Sequence, residues 1–298
     1  MSPSARGRHM MAIFNPASGG GQFKRDLPLI VGSLRTLGWA VVERPTESEG
    51  HATVLAREAL EEGVDRVVVI GGDGTVNEAL NGLAGSDVPL AVVPTGTINV
   101  LALELGIPLD PPDAVRVAAE ADPTRIDLGL AGERYFALMA GVGLDADVVA
   151  RVRPAMKRAL KEMAFVLQGL TTYLTTQHPL VRLESEDRCT EGYFVVLGNA
   201  RNYGGSFGIT PLADMRDGLL DVVVLKDMGL FSVAHYWLAA LLSAHLQHPK
   251  VEYFRTASAR LTIAEGDAPV LVQTDGEVAG QLPLECRVVP RALRVVTP

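Results

Sequence analysis

Three short glycine-bearing segments hold the residues best suited to chemistry: Asn15-Pro16-Ala17-Ser18-Gly19-Gly20-Gly21, Gly71-Gly72-Asp73-Gly74-Thr75 and Pro94-Thr95-Gly96-Thr97. Each follows an apolar run that reads as a parallel strand. In an open α/β sheet, such loops gather at the carboxyl edge, where ligands bind. Glycine lets backbone N–H groups come close to an anion, and the following helix N-terminus adds a favourable dipole. Thr75 and Thr97 add hydroxyl donors. One such loop is also an ordinary strand-to-helix turn, but three at one edge point to a polyphosphate ligand. Asp73 stands between glycines where phosphates would sit, which calls for a cation to bridge it to them. The common fingerprints do not fit. GxGxxG fails because Asn77 stands where its last glycine belongs, the Walker A loop fails because the chain has no Gly-Lys pair, and the protein-kinase signatures are missing.

The elements that must position these loops follow from periodicity. Met10–Phe14, Trp39–Glu43, Arg66–Ile70 and Leu90–Val93 read as strands, and Ala52–Glu62, Val76–Leu83 and Ile98–Leu105 as helices. A further helix follows the first glycine segment, with Pro28 near its start. This alternation is the signature of parallel βαβ units. The texture changes after Asp110-Pro111-Pro112. Tyr135–Ala140, Leu180–Leu183, Gly192–Leu197, Leu220–Leu225, Arg260–Ala264 and Val270–Gln273 read as strands of a sandwich-like second domain. Two helices interrupt it, at Ala155–Thr176 and Leu230–Leu246. We therefore expect an α/β nucleotide-binding domain over residues 1–124 and a β-rich domain over 125–298, with the last residues packing back on the first.

The bulk numbers narrow the class. With 298 residues, the chain exceeds what one core usually organises. A net charge of -8 argues against a nucleic-acid partner. Cys189 and Cys286 lie far apart with no metal-type spacing, and the leading segment lacks the apolar core of a signal peptide. The expectation is a reduced, cytoplasmic protein. Met228–Pro249 carries no Asp, Glu, Lys or Arg, but its histidines and serines favour a buried or surface-apolar helix over a membrane span.

The segments NPASGG (15–20), GGDGTVNEALNGL (71–83) and PTGTINVLALELGIP (94–108) resemble the three signatures of the diacylglycerol kinase catalytic-domain family, which includes bacterial lipid kinases and the sphingosine and ceramide kinases. The resemblance continues through GNARNYGGSFGITPLADMRDGLLDVVVL (198–225) and QTDGE (273–277), so it covers nearly the whole chain. GGDGT alone is shared with NAD kinases and phosphofructokinases. The resemblance implies an N-terminal nucleotide domain of that kind, a C-terminal β-sandwich, and an active site in the cleft between them. It implies ATP contacts from Asn15, Pro16, Ala17, Ser18, Gly19, Thr46, Gly72, Asp73, Gly74, Thr75, Val76, Asn77, Glu78, Gly96 and Thr97. It implies a general base for a lipid hydroxyl, in the order Glu277, Asp275, Asp73. Read alone, Asp275-Gly276 is also a type I′ hairpin turn. The resemblance further implies a structural Mg2+ at Asp214, Asp217 and Leu219, a segment that also reads as a turn. Many members carry Asn-Asp after the Gly-Thr; here it is Asn99-Val100, so any role of that aspartate is absent.

The expected reaction is transfer of the γ-phosphoryl group of Mg-ATP to a lipid alcohol, diacylglycerol giving phosphatidic acid. A soluble small-molecule kinase of the NAD kinase type and a non-catalytic nucleotide or lipid sensor are the alternatives. Arg151, Arg153, Lys157, Arg158 and Lys161 precede Met163, Phe165, Val166, Leu167, Leu170, Tyr173 and Leu174, a pattern suited to transient docking on an anionic leaflet or to a solvated face over a core stripe. The enzyme would then be peripherally membrane-associated. A homodimer is left open.

Overall fold

The computed structural model describes residues 8–17, 20–151, 172–173, 175–176, 178–204, 207–241, 244–266 and 268–298. Ser18 and Gly19 lie outside them. So do Arg153, Lys157, Arg158 and Lys161, the apolar residues of that segment except Tyr173, and most of the helix expected at Ala155–Thr176. Two compact units emerge, one formed by Met1–Ile126 with Arg291–Pro298, the other by Asp127–Pro290.

The first unit is an α/β layer structure. Its strands are β1 (Arg8–Phe14), β2 (Trp39–Pro45), β3 (Arg66–Gly71) and β4 (Leu90–Pro94), in the order β2-β1-β3-β4 and all parallel. Val295 then pairs in parallel with Leu90 on the far side of β4. The helices are α1 (Gly20–Thr36), α2 (His51–Glu62), α3 (Asp73–Leu83), α4 (Val100–Glu104) and α5 (Pro111–Glu120). β3 and β4 are buried along their whole length, as expected of strands covered on both faces. Alternation sorts the two faces. Met10, Ala12, Phe14, Val68, Ile70, Ala91 and Val93 meet Phe23, Ile30 and Leu34 of α1 and Ala114, Val115 and Ala118 of α5. The helices α2 and α3 pack on each other, and Gly82 makes this possible: a Cβ there would lie 2.6 Å from both the Ala56 Cβ and the Thr53 carbonyl.

The second unit contains β5 (Pro123–Ala131, from Asp127 on), β6 (Arg134–Phe136), β7 (Met139–Gly143), α6 (Leu144–Arg151), β8 (Leu180–Ser185), β9 (Cys189–Gly192), β10 (Phe194–Gly198), β11 (Asn202–Gly204), β12 (Phe207–Gly208), β13 (Leu220–Leu225), α7 (Leu230–Leu241), β14 (Val251–Thr256), β15 (Ser258–Glu265), β16 (Leu271–Thr274), β17 (Glu277–Gln281) and the larger part of β18 (Leu284–Val296). One antiparallel sheet runs β14-β13-β10-β7-β16-β17. A second antiparallel layer pairs β18 with β15, β15 with β8, and β8 with β9. Ala140, Val142, Val195, Leu197, Val222, Val224 and Val272 from the first layer share a core with Val181, Leu183, Leu261, Cys286 and Val288 from the second. This is a β-sandwich.

The fold class is therefore the expected one, while several boundaries differ. The helix expected to start at Val76 starts at Asp73, so the glycine loop is itself a first helical turn. The helix expected from Ile98 starts at Val100, because Asn99 takes the left-handed conformation (φ 59). The single strand expected at Tyr135–Ala140 is broken between β6 and β7. The helix from Leu230 is described as far as Leu241, and His245–Gln247, expected in part within it, form a 3-10 turn. Among the described residues, no helix is long and apolar enough to cross a membrane.

Candidate active site

Register brings the phosphate-type loops together. Phe14 lies opposite Ile70 and Pro45, and Gly71 lies opposite Pro94. The residues that follow, Asn15, Thr46, Gly72 and Thr95, therefore leave one sheet edge side by side. The chain passes from β1 outward to β2 and then back across to β3, so the point between β1 and β3 is where the strand order reverses. That is where open α/β sheets bind ligands.

The two central loops touch backbone to backbone. A Cβ on Gly96 would lie 2.5 Å from Gly72 Cα and 2.7 Å from Asn99 Oδ1. The Thr95 N–H donates to the Gly71 carbonyl at 3.0 Å. Asn99 closes the second loop by accepting from the Gly96 N–H and donating to the Gly96 carbonyl, each at 3.0 Å. Asp73 joins the two loops, since its Oδ1 accepts from the Leu101 N–H at 3.3 Å. Gly72, Asp73, Gly74, Thr75 and Gly96 are half-buried, and Thr97 is exposed. The α3 N-terminus, the positive end of that helix dipole, rises from this spot. After β1, Asn15 Oδ1 accepts from the Ala17 N–H at 2.8 Å, and Pro16 and Ala17 are exposed.

Other expected nucleotide contacts sit deeper. Val76 and Asn77 are buried in α3. Glu78 caps α2, with its carboxylate accepting from the Ala52 N–H at 3.0 Å and its carbonyl from the Thr53 hydroxyl at 2.7 Å. Thr46 is buried, and its N–H donates to the Phe14 carbonyl at 2.8 Å.

In the second unit, Thr274 pairs with Glu277 and the intervening Asp275-Gly276 forms a tight turn, with φ of 49 and 85. The hairpin-turn reading of this segment is therefore the observed one. The two carboxylates are held in different ways. Asp275 accepts from the N–H groups of Ala137, Leu138 and Met139 at 2.8, 2.9 and 3.0 Å. These bonds are why the expected strand breaks there: its N–H groups turn to a carboxylate instead of a neighbouring strand. Glu277 pairs instead with Arg134, through Oε2 and Nη2. Behind the turn, the Gly276 N–H donates to Gln273 Oε1 at 2.8 Å, and Gln273 Nε2 donates to the buried Asp145 at 2.6 Å. Gly141 makes room for that carboxylate, because a Cβ there would collide with Asp145 Oδ2. Nothing in the sequence pattern marked Arg134 or Asp145, since a lone arginine in a hairpin and an aspartate after a strand carry no spacing signal.

The segment expected to hold Mg2+ is a compact turn. The Asp217 N–H donates to the Asp214 carbonyl at 3.3 Å, and Asp217 Oδ1 accepts from the Leu219 N–H at 3.0 Å. Asp217 Oδ2 faces Arg255 at 3.3 Å. Close by is Asp221, which is fully buried; it accepts a hydrogen bond from the Tyr253 hydroxyl and leaves Oδ2 without a partner. Burial pushes the Asp221 carboxyl above the ordinary range, the Tyr253 bond opposes this, and negative Asp217 adds to it. An orphaned buried carboxylate oxygen among acids fits a hard cation, which takes oxygen ligands. Among the described residues, however, no three His, Cys, Asp or Glu side chains converge as a ready cage.

Comparison with known proteins agrees with this architecture. Residues 9–131 match the family described as "Diacylglycerol kinase catalytic domain", and residues 138–297 match "YegS C-terminal NAD kinase beta sandwich-like domain". A protein named diacylglycerol kinase from Staphylococcus carnosus (strain TM300) is 29% identical over 290 residues, covering 96% of this chain and 94% of the relative. One of the same name from Staphylococcus aureus (strain MRSA252) is 29% identical over 96% of this chain and 91% of its own length. A crystal structure of a diacylglycerol kinase from Bacillus anthracis str. Sterne superposes with a TM-score of 0.79 at 23% identity, covering 99% of both chains. Another structure from that organism reaches a TM-score of 0.82 at 24% identity over 100% of this chain and 97% of the other. With the catalytic-domain match over the glycine loops and the sandwich match over the Asp275–Glu277 turn, the chain belongs to the diacylglycerol kinase catalytic-domain family.

Proposed function

We propose that this protein is an ATP-dependent lipid kinase that phosphorylates the hydroxyl of a diacylglycerol-like lipid to give a phosphatidic-acid-type product. The observation that carries this reading is the convergence of the three loops after β1, β3 and β4 on one sheet edge, with Gly72 and Gly96 in backbone contact. Asn15, Pro16, Ala17, Gly72–Thr75, Gly96 and Thr97 are assigned to ATP, with Ser18 and Gly19 continuing the first loop. Val76, Asn77, Glu78 and Thr46 shape that edge from beneath. ATP supplies the transferable phosphoryl group, and Mg2+ spreads its charge. Asp73, half-buried at the α3 N-terminus, is assigned to the Mg-ATP side. Asp214, Asp217 and Leu219, with the buried Asp221 next to them, are assigned to a second, structural cation.

At the acceptor end, Glu277 takes the proton from the lipid hydroxyl as that oxygen bonds to the γ-phosphorus and ADP departs. The hydrogen bonding supports Glu277 over Asp275 for this role. Asp275 already serves backbone N–H groups with both oxygens, whereas only Oε2 of Glu277 is engaged among the described residues. Asp275 is then the anchor of the turn.

A lipid acceptor requires contact with a bilayer, and α7 supports it. Leu230, Phe231 and Leu238 are 56%, 91% and 59% exposed on a helix without a charged residue. Isolated exposed leucines are common on protein surfaces, but an exposed phenylalanine between two of them on one helix matches an interfacial helix face. The test is transfer from labelled ATP to vesicles containing diacylglycerol, phosphatidylglycerol or a sphingoid base, beside water-soluble acceptors such as NAD. We expect transfer to a lipid. Transfer to a soluble acceptor alone, or to none by folded protein, overturns the reading.

A further inference from the structure

We propose that Arg134 is a positioning residue for Glu277, acting on the reaction only through that carboxylate; the inference rests on the kinase reading above. Arg134 opens β6, and Glu277 opens β17. Their side chains are 30% and 31% exposed, and the guanidinium Nη2 meets carboxylate Oε2. Four residues grip the turn: Arg134 holds Glu277 by its side chain, and Ala137, Leu138 and Met139 hold Asp275 by their N–H groups. Arg134 itself is fixed by the β5–β6 hairpin, where it pairs with Ala131 across the turn containing Gly132.

The consequence is chemical. A glutamate side chain has several rotatable bonds, and a base that samples many rotamers spends little time facing the hydroxyl it must deprotonate. A planar guanidinium fork favours one carboxylate orientation. With Oε2 held, Oε1 is the oxygen left to receive a proton, and among the described residues it carries no other hydrogen bond. The pair is not needed to build the local fold, because β16–β17 and β5–β6 each have their own ladder.

The experiment compares wild type, Arg134→Met, Arg134→Lys, Glu277→Gln and the double variant Arg134→Met with Glu277→Gln, all assayed with Mg-ATP and diacylglycerol vesicles. Arg134→Met is expected to lower kcat by about tenfold to a hundredfold, the cost of a misplaced catalytic group, with KM for ATP within about twofold of wild type. Arg134→Lys is expected to regain part of that loss. In the Glu277→Gln background, Arg134→Met is expected to change nothing further. Wild-type kcat in Arg134→Met overturns the inference, as does a double variant in which the two losses multiply. Should Arg134→Met melt well below wild type, Arg134→Lys with and without Glu277→Gln carries the same comparison. An active wild type with an indifferent Arg134 defeats this inference alone. A wild type that phosphorylates no acceptor defeats the kinase reading and the inference with it.

Discussion

Asp275 and Glu277 differ in what their loss should do. Removing the Asp275 carboxylate leaves the N–H groups of Ala137, Leu138 and Met139 without their acceptor, and each buried unsatisfied donor costs about 1–3 kcal/mol. Asp275→Ala is thus expected to lose stability by about 3 kcal/mol or more in denaturant titration, with activity falling as the turn loosens. Glu277→Gln is expected to melt like wild type while kcat falls about a hundredfold or more, the usual weight of a general base. Asp221 gives a test with a pH sign. Its folded-state value lies above its unfolded one, so its contribution to stability is full below the ordinary carboxylate range and is lost as pH rises through the raised value. Asp221→Asn keeps an acceptor for the Tyr253 hydroxyl and mimics the neutral form. Its melting temperature relative to wild type is therefore expected to rise between pH 4.5 and pH 8. Added Mg2+ should narrow that gap by stabilising the wild type, as followed by thermal melts. An unchanged gap with pH would show that burial does not govern this carboxylate.

At the scale of elements, the glycine loops are coupled parts. Gly96→Ala places a Cβ where Gly72 Cα and Asn99 Oδ1 already sit, and the first of these is backbone that cannot swing aside as a side chain would. We expect a loss of about 1–3 kcal/mol together with weaker nucleotide binding, read by thermal melts with and without Mg-ATP. Much of this unit was legible beforehand, because continuous apolar runs such as Arg66–Ile70 and glycines directly after them are local signals. What was not legible depended on distant partners. The break at Ala137–Leu138 is imposed by an aspartate 138 positions further along the chain from Ala137. The early start of α3 puts Asp73 inside a helix, although its glycines read as loop. β17 and β18 went unread because their polar alternation resembles that of a connecting segment. In the candidate site, the family resemblance of QTDGE pointed to Asp275 and Glu277, but not to which of them Arg134 holds.

At the scale of the whole molecule, the net charge of -8 opposes approach to an anionic membrane, so the proposed membrane contact would need apolar side chains to carry part of it. Phe231→Ser combined with Leu238→Ser is expected to lower sedimentation with phosphatidylglycerol–diacylglycerol vesicles by several-fold, with melting temperature unchanged because both side chains are exposed. Unaltered sedimentation would remove α7 from the membrane-contact reading.

The pairing of Val295 with Leu90 has a consequence for synthesis on the ribosome. The strand that flanks β4 comes from Arg291–Pro298, which is translated after the entire sandwich. Chains usually fold vectorially, unit by unit, as they emerge. Here the nucleotide-binding unit must wait with one side of β4 uncovered until the sandwich has been made and Arg291–Pro298 has left the exit tunnel. An emerging chain therefore exposes a bare strand edge, a site for chaperone engagement or mispairing, for most of its translation. A nascent chain stalled before Arg291 would carry all three glycine loops on a sheet that is still unfinished.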